Sequence, residues 1–205
     1  THLDTQWNWD VKTTITQYVK NTLVDNMALM DKYPDFHLNY EGAIKYMWMK
    51  EYYPTQYEQM KQYIQRGQWH VSGMSVDAND VMMSSAESIL HSMLYANRFY
   101  MKEFGVRGGR DVMLPDCFGF TWALPQIING CGMTNFITSK LSYNDTTKFP
   151  YSMFMWQGNN GDRVRAHLMR PAYNCNYNVD EIMTVDNECN NKSELNTAMS
   201  MYGYG

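Results

Sequence analysis

The sequence predicts an α/β fold whose strands are mostly parallel. Short apolar stretches typical of strands alternate about four times with longer segments of helical periodicity. Proline and glycine residues separate these segments, as expected where elements end. A histidine and two carboxylates stand where strands are expected to end. In parallel folds, functional sites lie outside the carboxyl ends of the strands.

The first helix and the first strand are predicted from apolar spacing and one proline. Residues 10–33 form a long amphipathic segment, and Pro34 predicts its end. Residues 36–40 then predict a short strand. The apolar residues at helical spacing are Val11, Ile15, Tyr18, Val19 and Leu23.

Two helices separated by a proline are predicted next. Residues 41–53 predict a helix that Pro54 ends. Thr55 and Glu58 match a capping box, in which a threonine and a glutamate three residues later satisfy backbone amides of the first turn. The second helix is therefore predicted to begin at Thr55 and to reach Gly67.

A strand and a long helix follow. Residues 69–74 predict the strand, since aromatic and β-branched residues are frequent there. Ser84 or Ser85 is expected to cap a helix that continues to about Phe104.

The rest of the chain predicts three short elements and then a hairpin. Residues 111–114 and 135–139 predict strands, with a short helix at 123–129 between them. Residues 153–158 and 163–169 flank the sequence Asn159-Asn160-Gly161-Asp162, a strong turn signal. We interpret them as an antiparallel insertion near the site. A last helix is predicted at residues 193–201.

Composition and charge exclude several classes of protein. Hydrophobic residues make up 44% and charged residues 19% of the chain, which is typical of a globular domain. The net charge of −4 and the absence of a basic block argue against nucleic-acid binding. No apolar run has membrane-spanning length, and no signal peptide opens the chain. The four cysteines form no C-x-x-C pair and are interpreted as buried or free thiols, with one or two disulfides as the alternative.

The two ends of the chain resemble interrupted elements. Residues 1–4 resemble the last turn of a strand, and residues 201–205 resemble a strand that enters a glycine loop. We therefore expect residues 1–205 to be part of a single α/β domain of a longer protein. On that view the cellular compartment stays open, and so does the oligomeric state, a homo-oligomer included.

One histidine and two aspartates form the candidate metal site. His2 and Asp4 are two positions apart, so on a strand they would point to the same side. Asp116 follows the apolar residues 112–114, where a carboxylate is costly to bury unless it is paired or binds metal. One nitrogen and two carboxylates suit zinc, although other divalent ions also accept them. The alternatives are a chance H-x-D match and a helix-capping role for Asp116.

Aromatic residues accompany both parts of this candidate site. Trp7 and Trp9 follow the first pair of ligands, and Phe118 and Phe120 follow Asp116. A pyranose can stack its C–H face on such rings, which favours a sugar substrate. The alternative is that the rings belong to the core.

Three separated motifs resemble glycoside hydrolase family 38, the α-mannosidases, and in particular its bacterial and cytosolic-type branch. They are His2-x-Asp4-x-x-Trp7, Leu114-Pro115-Asp116-x-Phe118-Gly119, and Lys140-Leu141-Ser142-Tyr143-Asn144-Asp145 continued by Lys148-Phe149-Pro150. The likeness continues from Phe154-x-Trp156 to Tyr202-Gly203-Tyr204-Gly205. The segment Asp77-Ala78-Asn79 and the pair His91-Ser92 depart from the family pattern, so the outer subsites are not predicted.

The resemblance implies a fold, an activity and a set of site residues. The fold would be a seven-stranded parallel barrel-like catalytic domain, and the activity retaining hydrolysis of terminal α-linked mannose from glycans. His2, Asp4 and Asp116 would bind zinc, Asp116 would also be the nucleophile, and the acid/base carboxyl would follow Gly205 directly. The substrate residues would be Trp7, Phe118 and Lys140.

The same residues allow two other interpretations. The protein would be a metal-dependent polysaccharide deacetylase, or a non-catalytic carbohydrate-binding relative. A deacetylase would need an Asp-Asp pair and an H-x-x-x-H motif, and the sequence has neither. A non-catalytic relative would bind sugar without turnover.

Overall fold

The computed structural model describes residues 1–147, 149–169, 178–180, 183–184 and 199. The chain divides into two compact units. The first contains residues 1–77 and 92–109, and the second contains residues 78–91 and 110–204. Within the described residues, no helix combines the length and apolar character needed to cross a bilayer.

Among the described residues, the first unit contains a two-stranded sheet, three complete helices and part of a fourth helix. Helix α1 consists of Val11–Thr13, a π-helical turn at Thr14–Val19, and Lys20–Lys32. The other elements are strand β1 (Leu38–Glu41), helix α2 (Ala43–Tyr52), helix α3 (Pro54–Gln65) and strand β2 (Trp69–Ser72).

Helix α1 confirms the predicted amphipathic helix and adds a π turn. The Asp10 side chain accepts a hydrogen bond from the backbone N–H of Thr13 at 2.8 Å and so caps the helix. The helix ends where Tyr33, just before Pro34, adopts an extended conformation. The π turn was not predicted. Its first residue, buried Thr14, donates to the backbone oxygen of Thr5 at 2.8 Å.

The capping box predicted for α3 is wrong. The helix begins at Pro54, and no side chain caps it. Proline at the first helical position has no N–H to satisfy and has its φ already fixed near the helical value, so it starts the helix without a cap. Thr55 and Glu58 therefore lie inside the helix.

Strands β1 and β2 are parallel, in register from Leu38 opposite Trp69 to Glu41 opposite Ser72. Buried residues of the helices and of this sheet form one core cluster. Two of its polar side chains are hydrogen-bonded within the core: the Trp69 indole donates to the Tyr46 hydroxyl at 3.0 Å, and that hydroxyl donates to the backbone oxygen of Tyr40 at 2.9 Å.

Gly108 in the first unit is a position where any larger residue should lower the stability of the fold, because other side chains lie close to its backbone. A Cβ at Gly108 would lie 2.5 Å from Cδ2 of Tyr100 and 2.9 Å from Sδ of Met74. Tyr100 is fully buried, so its ring has no room to retreat. We expect Gly108→Ala to lower the free energy of unfolding by about 1–3 kcal/mol in urea denaturation.

Gly130→Ala is the matched control for this substitution. Gly130 is the last residue of a helix, and a Cβ there would meet nothing within 4 Å. We expect this variant to unfold at the wild-type urea concentration or slightly above it. Equal stability of the two variants would contradict the packing argument.

Helix α4 (Ala86–Phe104) contributes residues to both units. The Ser85 hydroxyl accepts a hydrogen bond from the backbone N–H of Ser88 at 3.2 Å, which confirms the predicted serine cap.

The second unit contains a four-stranded mixed sheet. Its elements are β3 (Asp111–Met113), α5 (Leu124–Gly130), β4 (Asn135–Thr138), a 3₁₀ turn (Lys140–Ser142), β5 (Met153–Gln157) and β6 (Arg163–Leu168). The strand order is β3-β4-β6-β5, in which β3, β4 and β6 are parallel and β5 is antiparallel to β6.

The predicted hairpin is confirmed, but its interpretation as an insertion needs correction. Strands β5 and β6 pair from Met153 opposite His167 to Gln157 opposite Arg163. On its other side β6 pairs with β4 in parallel, and its residues Val164, Ala166 and Leu168 are buried. The hairpin is therefore part of the main sheet, because β6 has an apolar face that must be covered.

The α/β class is confirmed, and parallel pairing occurs in both units. The described residues contain six strands in two sheets, so they do not show the seven-stranded barrel that the resemblance implies. The expectation of a strand at residues 1–4 is wrong, since that segment pairs with no strand and is irregular. The elements predicted at 193–201 and 201–205 lie outside the described residues.

Candidate functional site

In the first unit, His2 and Asp4 approach each other beside a buried glutamate. His2 Nε2 lies 3.4 Å from Asp4 Oδ1, and His2 Nδ1 lies 2.6 Å from Glu41 Oε1. The His2 and Glu41 side chains are only 6% and 4% exposed. A carboxylate at Nδ1 favours the tautomer with its proton there, and that tautomer carries a lone pair on Nε2.

This arrangement fits a bound divalent metal. Two ligand atoms at about 2.0–2.1 Å from a tetrahedral zinc ion lie roughly 3.4 Å apart, which matches the separation of Nε2 and Asp4 Oδ1. Metal-binding histidines commonly donate their other N–H to a carboxylate, which fixes the ring and raises its basicity. Glu41 holds that position for His2.

Sequence reasoning missed Glu41. It was predicted as the first residue of a helix, whereas it is the last residue of β1. The available signal was its position: a carboxylate that ends a buried parallel strand belongs to the edge of the sheet where sites form.

Two further side chains secure the segment that carries His2 and Asp4. The Thr5 hydroxyl donates to the Asp77 carboxylate, and the Trp9 indole donates to the Thr14 hydroxyl at 2.8 Å. Asp77 lies in the segment that departs from the family pattern, and its carboxylate binds Thr5 within the first unit. The Trp7 ring is 69% exposed and packs edge-on against Trp9.

In the second unit, Asp116 forms an ion pair with Lys140. Asp116 Oδ1 lies 2.7 Å from Lys140 Nζ, and the two side chains are 23% and 7% exposed. Met113 of β3 is opposite Ile137 of β4 in a parallel register, and each charged residue follows three positions later. The two groups therefore meet at the carboxyl end of neighbouring parallel strands.

Aromatic rings surround the Lys140 ammonium. Nζ lies 3.8 Å from the ring centroid of Tyr143 and 4.8 Å from that of Phe118. Both distances are within the range of a cation–π contact. Phe118 is 77% exposed, so its ring remains accessible to a ligand.

The turn that carries Asp116 is held on both sides of the carboxylate. The Ser139 hydroxyl donates to the backbone oxygen of Pro115 at 2.5 Å, and Cys117 Sγ lies 3.5 Å from the backbone oxygens of Asn79 and Gly119. Burial raises the pKa of the Cys117 thiol. Cys117 is therefore a structural side chain with little thiolate character.

A cavity of about 580 Å³ in the second unit adjoins Lys140. Eight of its eleven lining residues are aromatic. The cavity is lined by Phe118, Gly119, Phe120, Trp122, Phe136, Lys140, Leu141, Tyr143, Phe149, Phe154 and Trp156.

The structure groups the predicted site residues as follows. The first unit brings His2 and Asp4 together and leaves Trp7 exposed nearby in sequence. The second unit brings Asp116, Phe118 and Lys140 together. His37 is not part of either group, and its Nδ1 lies 3.0 Å from the backbone oxygen of Gly67.

Two cysteines also match their prediction. Cys117 and Cys131 are buried and carry no disulfide. Cys175 and Cys189 lie outside the described residues.

The family match and the individual relatives of this chain agree with each other. Residues 1–205 match the family described as glycosyl hydrolases family 38 N-terminal domain. The chain is 36% identical over 206 residues to alpha-mannosidase G of Dictyostelium discoideum and 31% identical over 205 residues to human alpha-mannosidase 2C1. Both matches cover the whole chain, with 19% and 20% of the two relatives.

A solved structure has the same fold. A family 38 glycosyl hydrolase protein from Enterococcus faecalis superposes with a TM-score of 0.74 at 16% identity, covering 97% of this chain and 22% of that chain. The chain thus spans about a fifth of the length of the proteins it matches. Because the family match extends over every residue, the chain belongs to glycosyl hydrolase family 38 and corresponds to sequence from its N-terminal domain.

Proposed function

We propose that this chain is part of the catalytic domain of a retaining α-mannosidase that removes terminal α-linked mannose from glycans. The observation that carries the proposal is the family match over residues 1–205, together with curated relatives named alpha-mannosidases at 28–36% identity. A seven-stranded barrel for the whole catalytic domain is part of the same proposal.

The proposed metal ligands are His2, Asp4 and Asp116. The separation of His2 Nε2 from Asp4 Oδ1 and the Glu41 contact support the first two. The family resemblance supports Asp116. A bound zinc ion would supply positive charge that holds the 2-OH and 3-OH of mannose, a cis pair that glucose lacks. Other divalent ions are compatible with the same ligands.

Asp116 is the proposed nucleophile. One of its oxygens forms a bond to the anomeric carbon as the bond to the leaving oxygen breaks, which gives a covalent glycosyl-enzyme. A second carboxyl, which the resemblance places after Gly205, gives its proton to the leaving oxygen and then takes one from the water that releases mannose. The fixed turn around Pro115 and Cys117 supports this role because it limits the motion of the carboxylate.

Aromatic rings and Lys140 form the proposed sugar-binding surface. The exposed rings of Trp7 and Phe118 offer flat apolar faces for the C–H groups of a pyranose. The Lys140 ammonium offers hydrogen-bond donors beside Asp116.

The direct test is hydrolysis of 4-nitrophenyl α-mannoside by the full-length protein. We expect nitrophenol release, with the first-formed mannose keeping the α configuration when followed by NMR. Release of acetate from an acetylated polysaccharide would instead favour the deacetylase reading. Mannose binding without turnover would favour a non-catalytic relative.

Replacement of Lys140 tests the proposed sugar-binding surface. We expect Lys140→Met in the full-length protein to lower kcat/KM for aryl mannosides about 10²-fold, because it removes a fixed positive charge next to the reacting carboxylate. Lys140→Arg keeps the charge and should lower kcat/KM less than Lys140→Met does. Lys102→Met, at an exposed lysine of α4, is the control and should match wild type. Equal activity of Lys140→Met and Lys102→Met would contradict this role.

A further inference from the structure

Lys45 is a lysine whose ammonium is buried within the first unit. It lies on α2, and its side chain is 1% exposed. Its Nζ makes no hydrogen bond to any of the described residues, and Asp77 Oδ1 is 3.6 Å away. Removing an ammonium from water in this way is costly unless a nearby negative charge compensates for it. Asp77 supplies that charge.

Asp77 connects Lys45 to the segment that carries the proposed ligands. Its carboxylate accepts the hydrogen bond of Thr5, the residue directly after Asp4. The backbone oxygen of Thr5 in turn accepts the Thr14 hydroxyl at 2.8 Å. Thr5 is therefore fixed through both its side chain and its backbone.

That segment depends on side-chain contacts for its shape. Residues 1–10 contain no helix or strand, so no backbone ladder holds them. The Thr1 ammonium donates to the backbone oxygen of Asn39 at 2.7 Å. The side-chain anchors of the remaining residues are the contacts of His2 with Glu41, of Thr5 with Asp77 and of Trp9 with Thr14. Two of these three anchors are carboxylates.

The position of the Lys45 ammonium suits it to support these carboxylates. Nζ lies against the backbone of Gly42, which directly follows Glu41. A Cβ at Gly42 would lie 2.9 Å from Nζ, and φ of +85° there also favours glycine. The positive charge therefore lies beside the backbone that leads from Glu41 and within ion-pair distance of Asp77.

We propose that Lys45 is a positioning residue whose buried ammonium, paired with Asp77, holds residues 1–9 in the arrangement that presents His2 and Asp4 to a metal ion. The anchoring follows from the contacts of the first unit. Its purpose rests on the proposed function, since that assigns metal binding to His2 and Asp4.

Hydrogen exchange in the metal-free full-length protein tests the anchoring. We expect Lys45→Met to raise the exchange rate of the amides of residues 3–9 about tenfold, because the segment opens locally once its anchor is lost. The matched control is Lys50→Met. Lys50 lies on the same helix and pairs with Glu103 at 2.6 Å, but its side chain is 49% exposed. The Lys50→Met variant should leave the exchange rates of these amides unchanged.

Asp77→Asn provides a second, milder variant at a side chain that is 39% exposed. It should raise the same exchange rates, and the double variant Lys45→Met/Asp77→Asn should not exceed the larger single effect, because the two residues act as a pair. Unchanged protection of residues 3–9 in both single variants would overturn the proposal. So would an equal rise for core amides such as that of Val71, since the effect would then be global.

Zinc affinity, measured by competition with a chelator, tests the purpose of the anchoring. We expect about tenfold weaker binding in Lys45→Met and unchanged binding in Lys50→Met, with a change in the visible spectrum of the cobalt-loaded protein only for Lys45→Met. Faster exchange with wild-type zinc affinity would overturn the positioning role. If wild-type protein neither binds zinc nor cleaves mannosides, the proposed function fails, and the exchange experiment still decides the anchoring.

Discussion

Asp116→Ala in the full-length protein is expected to lower kcat for aryl α-mannosides by at least about 10⁴-fold, the scale seen when a covalent nucleophile is removed. The substitution removes the oxygen that would bond to the anomeric carbon. It also removes a proposed metal ligand and leaves Lys140 without its carboxylate at 2.7 Å. Steady-state hydrolysis of 4-nitrophenyl α-mannoside measures the loss.

Asp111→Ala is the matched control for this variant. Asp111 begins β3, the strand that leads to Asp116, and accepts a hydrogen bond from Asn135 at 2.7 Å. It lies at the end of the strand opposite the proposed site, so its loss should leave turnover close to wild type. Near-native hydrolysis by Asp116→Ala would contradict the nucleophile assignment.

A labelling experiment separates the nucleophilic role of Asp116 from its proposed role in metal binding. An activated fluorinated mannoside that slows the second step should leave a mannosyl adduct on the peptide containing Asp116, detected by mass spectrometry. An adduct on a different carboxylate would show that Asp116 acts only as a ligand. The Asp116→Ala protein should form no adduct.

The sequence predicted most elements of the fold because their signals are local. Apolar spacing and Pro34 located helix α1, a serine located the start of α4, and the turn at residues 159–162 located the hairpin. Each of these signals acts within a few residues, so no knowledge of distant contacts was needed.

The errors in the fold prediction have different physical causes. The interpretation of the hairpin as an insertion is wrong because strand β6 pairs with β4 as well as with its hairpin partner β5, and packing of its apolar face, which is non-local, selects that arrangement. The capping box at Thr55 is wrong for a local reason, because Pro54 determines where the helix starts.

The sequence predicted the charged residues proposed for the site, but it did not predict the residues that contact them. His2 and Asp4 are visible in the sequence as an H-x-D pair, and Asp116 is visible because a carboxylate directly after apolar strand residues is unusual. Glu41 is 39 positions from His2, and Asp77 is 72 positions from Thr5. Such contacts depend on how parallel strands align, which local patterns do not specify. The supporting residues therefore became identifiable only once the strands were placed.

His2→Ala in the full-length protein is expected to lower zinc affinity by about 100-fold or more, because it removes the proposed ligand nitrogen together with its Glu41-oriented ring. The purified variant should contain much less than one zinc per chain by elemental analysis. Excess zinc should restore part of its mannosidase activity. The same treatment should not restore Asp116→Ala, since that variant would also lack the nucleophile.

His70→Ala is the control for the loss of an imidazole. His70 lies on β2 and is exposed, with Nε2 3.3 Å from Nδ1 of His37. Its replacement should leave zinc content and activity unchanged. Full zinc occupancy in His2→Ala would show that the metal, if one is needed, is held elsewhere. The short contact between His2 and buried Glu41 would then have to be explained by packing of the first unit alone.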